Sequence, residues 1–169
     1  MENAVLLVLD AQVGILQRSI YEMDRILKNI NAVVTSFHQR RFPVVFSRHT
    51  NATSLQLGSN AWQIDARLDC PQDAILLDKK HSNIFKEMAF RELVENNTIH
   101  HIFICGFVSN GCVQAACTEA LRQRFDTVLV KDAHSTFVKN AEVIIELWNA
   151  KLADAGAEVI STEAAIVMV

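Results

Sequence analysis

A short apolar run that leads into a turn of small residues, and then into a helical pattern, constrains the fold more than any other part of this chain. The run spans residues 102–105, and a continuous apolar segment of this kind is typical of a buried parallel strand. The turn contains Gly106, Ser109, Asn110 and Gly111. Beyond the turn, apolar side chains recur at i, i+3, i+4, i+7 and i+8, which predicts a helix with one apolar stripe: Val113, Ala116, Cys117, Ala120 and Leu121.

Cys112 lies at the predicted start of this helix, just past the carboxyl end of the strand. We expect Ser109 or Asn110 to be the N-cap. Free N–H groups and the positive end of the helix dipole would stabilise a thiolate at this position and could hold an oxyanion. We therefore interpret Cys112 as a nucleophile. The other cysteines are interpreted as small buried hydrophobic residues, as free cysteines commonly are: Cys70, Cys105 and Cys117.

Two phosphate-binding motifs share part of this pattern, and both are excluded. Gly106 and Gly111 have the glycine spacing of a P-loop, but Cys112 and Val113 stand where that motif needs lysine and serine or threonine. A cysteine phosphatase loop fails because Thr118 stands at the position of its arginine. The sequence therefore predicts a thiol nucleophile without phosphate chemistry.

The composition limits the class of protein. A chain of 169 residues, half of them hydrophobic and 21% charged, predicts one domain over residues 1–169 with a substantial core. A net charge of −3 disfavours a nucleic-acid partner, and the apolar runs are far shorter than the roughly 20 residues of a membrane span. With no secretory signal expected in residues 1–10 and four cysteines without a C-x-x-C pair, we expect a reduced, cytoplasmic setting.

Strand and helix patterns alternate along the chain. Strands are predicted at 4–9, 44–46, 74–77, 102–105, 127–130 and 158–160. Helices are predicted at 21–39, at 84–95 with Asn83 as the cap, from 112, and from 140 to a stop at Gly156. This order predicts a three-layer α/β/α fold with a mostly parallel, six-stranded, Rossmann-like sheet.

Three polar residues each follow the carboxyl end of a predicted strand, where ligands bind in such sheets: Asp10, Lys79 and Cys112. They form a plausible chemical unit. Asp10 could accept the thiol proton and later donate it to a leaving amine, while Lys79 would keep that carboxylate ionised and favour the thiolate. Two N–H groups of the turn before Cys112 would hold the tetrahedral oxyanion.

Four segments, in order, resemble the isochorismatase-like cysteine hydrolases, which include nicotinamidases and N-carbamoylsarcosine amidase: LLVLDAQVGIL, LLDKKHSNIF, ICGFVSNGCVQAACTEAL and VLVKDAHSTF. The resemblance covers nearly the whole chain and implies this family's hydrolase fold. It implies catalytic Asp10 in a D-x-Q context with Gln12, and Lys79 rather than Lys80, because the family's lysine lies six residues before a phenylalanine, here Phe85.

The resemblance also implies details of the turn. The nucleophile, Cys112, ends a G-x-x-T-x-x-C-V pattern in which Ser109 replaces the usual threonine. A cis peptide between Val108 and Ser109 is implied, with the Ser109 and Cys112 amides forming the oxyanion hole. The residues expected to hold the oxyanion or contact the substrate are Val108, Ser109, Gln12, His49 and Trp62.

The metal of the nicotinamidases is not expected here. Those proteins carry a D-x-H motif and a further histidine after the second strand, whereas this region reads SRHTNATSLQLG. His49 alone is interpreted as a polar pocket or structural residue, because one histidine is too few ligands. We therefore predict no metal and no cofactor, and regard nicotinamide as a less favoured substrate than another amide.

Several roles stay open at this stage. Trp62 lies in the long aperiodic stretch 50–72 and would wall a pocket or simply pack. Asp132, His134 and Ser135 follow the fifth predicted strand and would line the pocket or cap the next turn. A Cys–His dyad is an alternative to the Asp–Lys–Cys arrangement, since its members need not be close in sequence.

The favoured function is hydrolysis of a small amide or related C–N bond through an acyl-enzyme on Cys112. We expect a small-molecule substrate, no nucleic-acid or membrane partner, and a homo-oligomer. The alternatives are an inactive oligomeric binding protein of the same fold, a redox-sensing thiol protein, and a vinyl-ether hydrolase of the isochorismatase type, which the presence of Cys112 disfavours.

Overall fold

Six parallel strands form one sheet in the computed structural model, which describes residues 2–169. The strands are β1 (Ala4–Leu9), β2 (Val44–His49), β3 (Ile75–Lys79), β4 (His101–Phe107), β5 (Asp126–Ser135) and β6 (Glu158–Ile160). The helices are α1 (Val13–Leu16), α2 (Met23–Gln39), α3 (Met88–Asn96), α4 (Gln114–Arg122), α5 (Ala141–Asp154) and α6 (Thr162–Met168). The strand order is β3-β2-β1-β4-β5-β6, so the predicted parallel α/β sheet is confirmed.

The central strand β1 shows why the fold has three layers. All six of its residues are fully buried, because helices cover both faces of the sheet. Leu6 and Val8 pack in the core cluster that contains residues of α2 and α6, whereas Val5 and Leu7 pack in the cluster that contains residues of α3, α4 and α5. Because successive side chains of a strand point to opposite faces of the sheet, this one apolar run contributes to the core on each side.

Strand order reverses between β1 and β4, which lie side by side. Asp10 follows β1, and the turn that holds Cys112 follows β4, so both lie at the same edge of the sheet. This is the point at which doubly wound sheets bind their ligands.

The predicted helix over 84–95 is broken in the structure. A 3₁₀ turn at Ile84–Lys86, with the Asn83 side chain accepting a hydrogen bond from the Phe85 amide, precedes α3. Glu87 lies between them in an extended conformation, and its carboxylate accepts a hydrogen bond from the Lys80 amide at 3.0 Å. The apolar spacing therefore located the segment but could not show the extended residue between its two parts.

The fifth strand is longer than predicted, and its pairing with β4 contains a bulge. Ile104 lies opposite Leu129, but Gly106 lies opposite His134, so an interval of two residues in β4 is matched by five in β5. The polar pair Lys131 and Asp132 falls within this bulge, which is why an apolar run stopping at 130 underestimated the strand. The bulge carries His134 to the end of β4.

Two short helices were not predicted, α1 and α6. Each is only one or two turns long, too short for a recognisable apolar period. Among residues 2–169, no helix has both the length and the apolar character needed to cross a membrane.

Gly106 is required where β4 passes β1. Its φ is +105°, and a Cβ at this position would lie 2.3 Å from the Leu9 carbonyl oxygen and 2.5 Å from the Leu9 nitrogen. Both atoms belong to backbone at the centre of the sheet, which cannot move aside as a flexible side chain would.

We expect Gly106→Ala to lower the free energy of unfolding by more than about 3 kcal/mol, since it adds a backbone clash to the cost of positive φ. Gly58→Ala is the matched control: its φ is +81°, but nothing lies within 4 Å of the added Cβ. That control should cost only about 1 kcal/mol. Urea denaturation measures both, and equal losses would contradict the role of close backbone approach.

Candidate active site

A fully buried ion pair lies at the switch point of the sheet. The Lys79 Nζ is 2.7 Å from the Asp10 Oδ2, with side-chain exposures of 0% and 4%. The other carboxylate oxygen, Oδ1, accepts a hydrogen bond from the Ser47 hydroxyl at 2.7 Å. Both oxygens of Asp10 are therefore held by neighbouring strands, as a buried carboxylate requires.

The Lys79 ammonium also contacts the candidate nucleophile. Its Nζ lies 3.2 Å from the Cys112 Sγ, 3.3 Å from the His49 Nδ1 and 3.3 Å from the His81 carbonyl oxygen. Burial lowers the pKa of Lys79, but Asp10 and Cys112 raise it more, so the pKa lies above its usual value and the amine stays protonated. The structure thus brings the predicted Asp10, Lys79 and Cys112 into one cluster.

The Cys112 thiol is neutral at rest. Burial, with a further contribution from the Asp10 carboxylate, raises its pKa to about 12, although Lys79 opposes the rise. The direction of this pKa shift is opposite to the stabilised thiolate that the sequence led us to expect, although Lys79 does act in the expected sense. Cys112 directly follows a kink in the backbone at Gly111 and lies two residues before α4.

The turn between β4 and α4 differs in register from the prediction. The cis peptide joins Phe107 to Val108, one residue before the predicted Val108–Ser109 bond. Strand β4 continues through Phe107, and Ser109 already belongs to the helical turn Ser109–Val113, where it is fully buried. Val108 and Cys112 are half-buried, unlike Ser109.

Neither predicted N-cap acts as one. The Ser109 hydroxyl lies 2.8 Å from the His134 Nδ1, and the Asn110 side-chain oxygen accepts a hydrogen bond from Thr136 at 2.8 Å. Both side chains are drawn toward β5 because the bulge brings that strand beside the turn. The turn is instead closed by the Gly111 and Val113 amides, which donate to the Val108 carbonyl.

The buried side chain of Gln12 joins the backbone at His49 to the backbone at Trp62. Its side-chain amide donates to the carbonyl oxygens of His49 and Trp62, at 3.0 and 2.9 Å, and accepts from the His49 amide at 2.8 Å. Gln12 is fully buried, and both its side-chain oxygen and its side-chain nitrogen are engaged by these partners. Its role is therefore to position His49 and Trp62, two other predicted site residues. His49 itself is half-buried, and burial, followed by Lys79, lowers its pKa, so the ring is neutral.

Two contacts hold the Trp62 side chain in place. The guanidinium of Arg48 lies 3.7 Å from the centre of its ring, and its indole nitrogen donates to the Thr50 hydroxyl at 3.1 Å. Arg48 is held in turn by Asp78. These contacts anchor the irregular stretch 50–72 to β2 and β3, so Trp62 is a packed anchor of that segment.

The structure separates three residues that the sequence grouped after β5. Asp132 accepts hydrogen bonds from the amide and hydroxyl of Thr162 at 2.8 Å, at the start of α6. Ser135 donates to the Tyr21 carbonyl at 2.7 Å. Only His134 reaches the turn that precedes Cys112. Sequence reasoning also missed Ser47, whose one signal is a polar residue within an apolar strand.

The donor set does not fit a metal ion. Ligand atoms of Asp10, His49 and Cys112 all lie within 4.8 Å of one another, a spacing that a metal would accept. However, the Lys79 ammonium contacts all three of them and already supplies the positive charge at the centre of the cluster. A divalent cation there would face direct repulsion from this buried charge.

Comparisons with known proteins agree with this fold. The sequence model described as "Isochorismatase domain" matches residues 4–164. A secreted isochorismatase effector of Phytophthora sojae is 25% identical over 97% of this chain and 75% of its own length.

Solved structures give the same fold. A cysteine hydrolase of Pseudomonas syringae pv. phaseolicola superposes with a TM-score of 0.91 at 15% identity, covering 98% of this chain and 91% of that one. The pyrazinamidase of Pyrococcus horikoshii, solved in complex with zinc, gives a TM-score of 0.83 at 18% identity, covering 94% and 99%.

We expect iodoacetamide to alkylate Cys112 slowly at neutral pH, with a rate that rises about tenfold per pH unit because the thiolate is the reactive form. Asp10→Asn removes a group that raises the thiol pKa and should speed alkylation at a given pH; Lys79→Met removes one that lowers it and should slow alkylation. Mass spectrometry in a Cys70→Ser background measures the rates, because Cys70 is the other half-buried cysteine.

Asp78→Asn is the control for this series, since Asp78 lies next to Lys79 on β3 but pairs with Arg48. It should leave the alkylation profile unchanged. A wild-type rate that reaches a plateau near pH 7 would contradict the neutral resting thiol.

Proposed function

Because this chain belongs to the isochorismatase family, we propose that it is a cysteine-dependent hydrolase of a small amide or a related C–N bond, acting through an acyl-enzyme on Cys112. One observation carries the proposal: a buried ammonium, that of Lys79, contacts both the candidate nucleophile and the candidate base. A merely structural ion pair would not need a half-buried thiol at 3.2 Å.

In the first step Asp10 takes the proton from the Cys112 thiol while the sulfur attacks the substrate carbonyl carbon. A base at the site is necessary because the thiol, with its pKa raised to about 12, carries its proton at neutral pH. Lys79 stays paired with Asp10 and stabilises negative charge as it moves from carboxylate to sulfur and then to the substrate oxygen.

The tetrahedral intermediate then collapses. We assign the oxyanion hole to the amides of Val108 and Cys112, since both residues are half-buried and flank the turn whereas Ser109 is fully buried. The C–N bond breaks, Asp10 returns its proton to the leaving amine, and a thioester remains on Cys112. Asp10 next accepts a proton from the water that attacks the thioester, and it returns this proton to the sulfur as the C–S bond breaks, which releases the acid and restores the free thiol and the Asp10 carboxylate.

The proton that Asp10 holds after the first step favours amides as the class of substrate. An amine is a poor leaving group unless it receives a proton, and Asp10 holds one after the first step. His49 is neutral and accepts from Lys79 through Nδ1, which leaves its Nε2–H as a donor for a polar group of the substrate. We therefore expect small polar amides or carbamoyl compounds to be better substrates than apolar ones.

Several sequence-based expectations stay predictions: one domain over residues 1–169, a homo-oligomer, a cytoplasmic location, and the absence of nucleic-acid and membrane partners. The proposed chemistry requires only a small-molecule substrate. It requires no cofactor.

We expect a panel of small amides and carbamoyl compounds to contain substrates that add an acyl mass to the wild type, detected by intact-protein mass spectrometry after rapid acid quench. Cys112→Ala should abolish the added mass and lower hydrolysis at least about a thousandfold. Cys70→Ser should do neither, because that half-buried cysteine lies outside the cluster.

Loss of the acyl adduct together with retained hydrolysis in Cys112→Ala would overturn the covalent mechanism. An unreactive wild type across the panel, with Cys112 also inert to acylating esters, would favour the alternative of an inactive binding protein.

A further inference from the structure

We propose that His134 is a positioning residue for the proposed hydrolysis, holding the oxyanion turn in place through the Ser109 hydroxyl as part of a buried Ser109–His134–Asn149 relay. The inference rests on the proposed function. The Ser109 Oγ lies 2.8 Å from the His134 Nδ1, and the His134 Nε2 lies 2.9 Å from the Asn149 Oδ1. The three residues come from the turn, from β5 and from α5.

The relay is buried along its length. Ser109 and His134 have no exposed surface, and Asn149 is 8% exposed. A buried polar chain of this kind is stable only when each member has its partner, so each residue restricts the orientation of the next. His134 is thereby fixed at both ring nitrogens, and it fixes the hydroxyl of Ser109.

The hydrogen-bond directions follow from the charge state of the ring. Burial lowers the pKa of His134 to about 4, so the imidazole is neutral at physiological pH. With the Asn149 side-chain oxygen as acceptor, the His134 Nε2 carries the proton and Nδ1 accepts from the Ser109 hydroxyl. The relay is therefore a fixed chain of donors and acceptors, without a charge of its own.

Ser109 is placed to transmit this restraint to the reacting atoms. Ser109 directly follows Val108 and lies three residues before Cys112. The amides of Val108 and Cys112 are the two that we assign to the oxyanion hole. Thr136, the residue directly after β5, donates to Asn110 in the same turn. The end of β5 and the residue that follows it thus hold two consecutive side chains of the turn, and the β-bulge supplies the register that allows it.

The far end of the relay lies at a polar cavity. Asn149 and His134 help to line a space of about 500 Å³ between the start of α2, the bulge of β5 and α5, together with Tyr21, Lys131 and Glu142. The catalytic cluster of Asp10, Lys79 and Cys112 does not line it. The relay therefore borders a space that the catalytic residues do not line, and neither of its hydrogen bonds ends on the thiol or on its base.

Two probes separate a positioning role from a general loss of structure. Iodoacetamide alkylates Cys112 by displacing iodide at a saturated carbon, so no oxyanion forms. p-Nitrophenyl acetate acylates the same sulfur through a tetrahedral oxyanion and releases p-nitrophenolate. The ratio of the acylation rate to the alkylation rate, measured at one pH, thus reports the oxyanion hole independently of the reactivity of the thiol.

We expect His134→Leu to lower this ratio about ten- to hundredfold, because a small displacement of the turn misaligns the amides, while alkylation stays near the wild-type rate. His134→Asn keeps an acceptor near the position of Nδ1 and should recover most of the ratio. Ser135→Ala is the matched control: it removes a hydrogen bond made by the neighbouring, equally buried residue, one that ends on Tyr21. That control should leave the ratio unchanged.

A double-mutant cycle tests the route through Ser109. If His134 acts by way of the hydroxyl, Ser109→Ala alone should lower the ratio, and adding His134→Leu should lower it no further. Fully additive effects would overturn the relay, and Ser109→Ala keeps the test valid even if His134→Leu fails to fold.

The failure of the two proposals can be told apart. A wild type that alkylates but does not acylate at Cys112 contradicts the proposed function. A wild type that acylates, with His134 variants that leave the ratio unchanged or lower both rates equally, contradicts the relay alone.

Discussion

The buried contact between Lys79 and Asp10 is the interaction on which the site depends. An ammonium with no exposed surface is stable only beside compensating charge, and Asp10 supplies it at 2.7 Å. This requirement fixes how β3 and β1 end relative to each other, although β2 lies between them. Ser47 of β2 completes the contact by holding the second carboxylate oxygen. Three neighbouring strands therefore share one electrostatic constraint.

The same ion pair explains why the nucleophile is a protonated thiol. A strong lysine charge alone would favour the thiolate, but the carboxylate beside it cancels much of that effect while burial disfavours any further charge. The cluster thus holds one positive and one negative charge at rest. Reaction moves the negative charge from Asp10 to sulfur and to the substrate oxygen, within contact distance of a lysine that does not move.

Much of this arrangement could be predicted from the sequence. Continuous apolar runs marked the strands, and polar residues directly after those runs marked Asp10, Lys79 and Cys112, because strand ends in a parallel sheet meet at one edge. The resemblance added the choice of Lys79 over Lys80. These inferences needed only local patterns and the topology that such patterns imply.

The remaining features depend on contacts between distant segments. The thiol pKa depends on burial, which no spacing rule supplies, and the role of Gln12 depends on where the stretch 50–72 folds back to Trp62. His134 was named as a residue that follows the fifth strand, but its contact with the turn could not be predicted, because Lys131 and Asp132 end the apolar run whereas the structure accommodates them in a bulge. The cis bond, which the resemblance placed between Val108 and Ser109, lies one residue earlier, between Phe107 and Val108.

The bulge in β5 has a consequence for how this domain could diverge. Side chains of a strand alternate between faces, so the number of residues between Leu129 and His134 decides which side chain meets the turn. Loss of one residue from this interval would present Ser135 to Ser109 and turn the imidazole toward the opposite layer. Length variation in a segment remote in sequence from the nucleophile is therefore a route by which related chains could replace the group behind the oxyanion turn while keeping Asp10, Lys79 and Cys112.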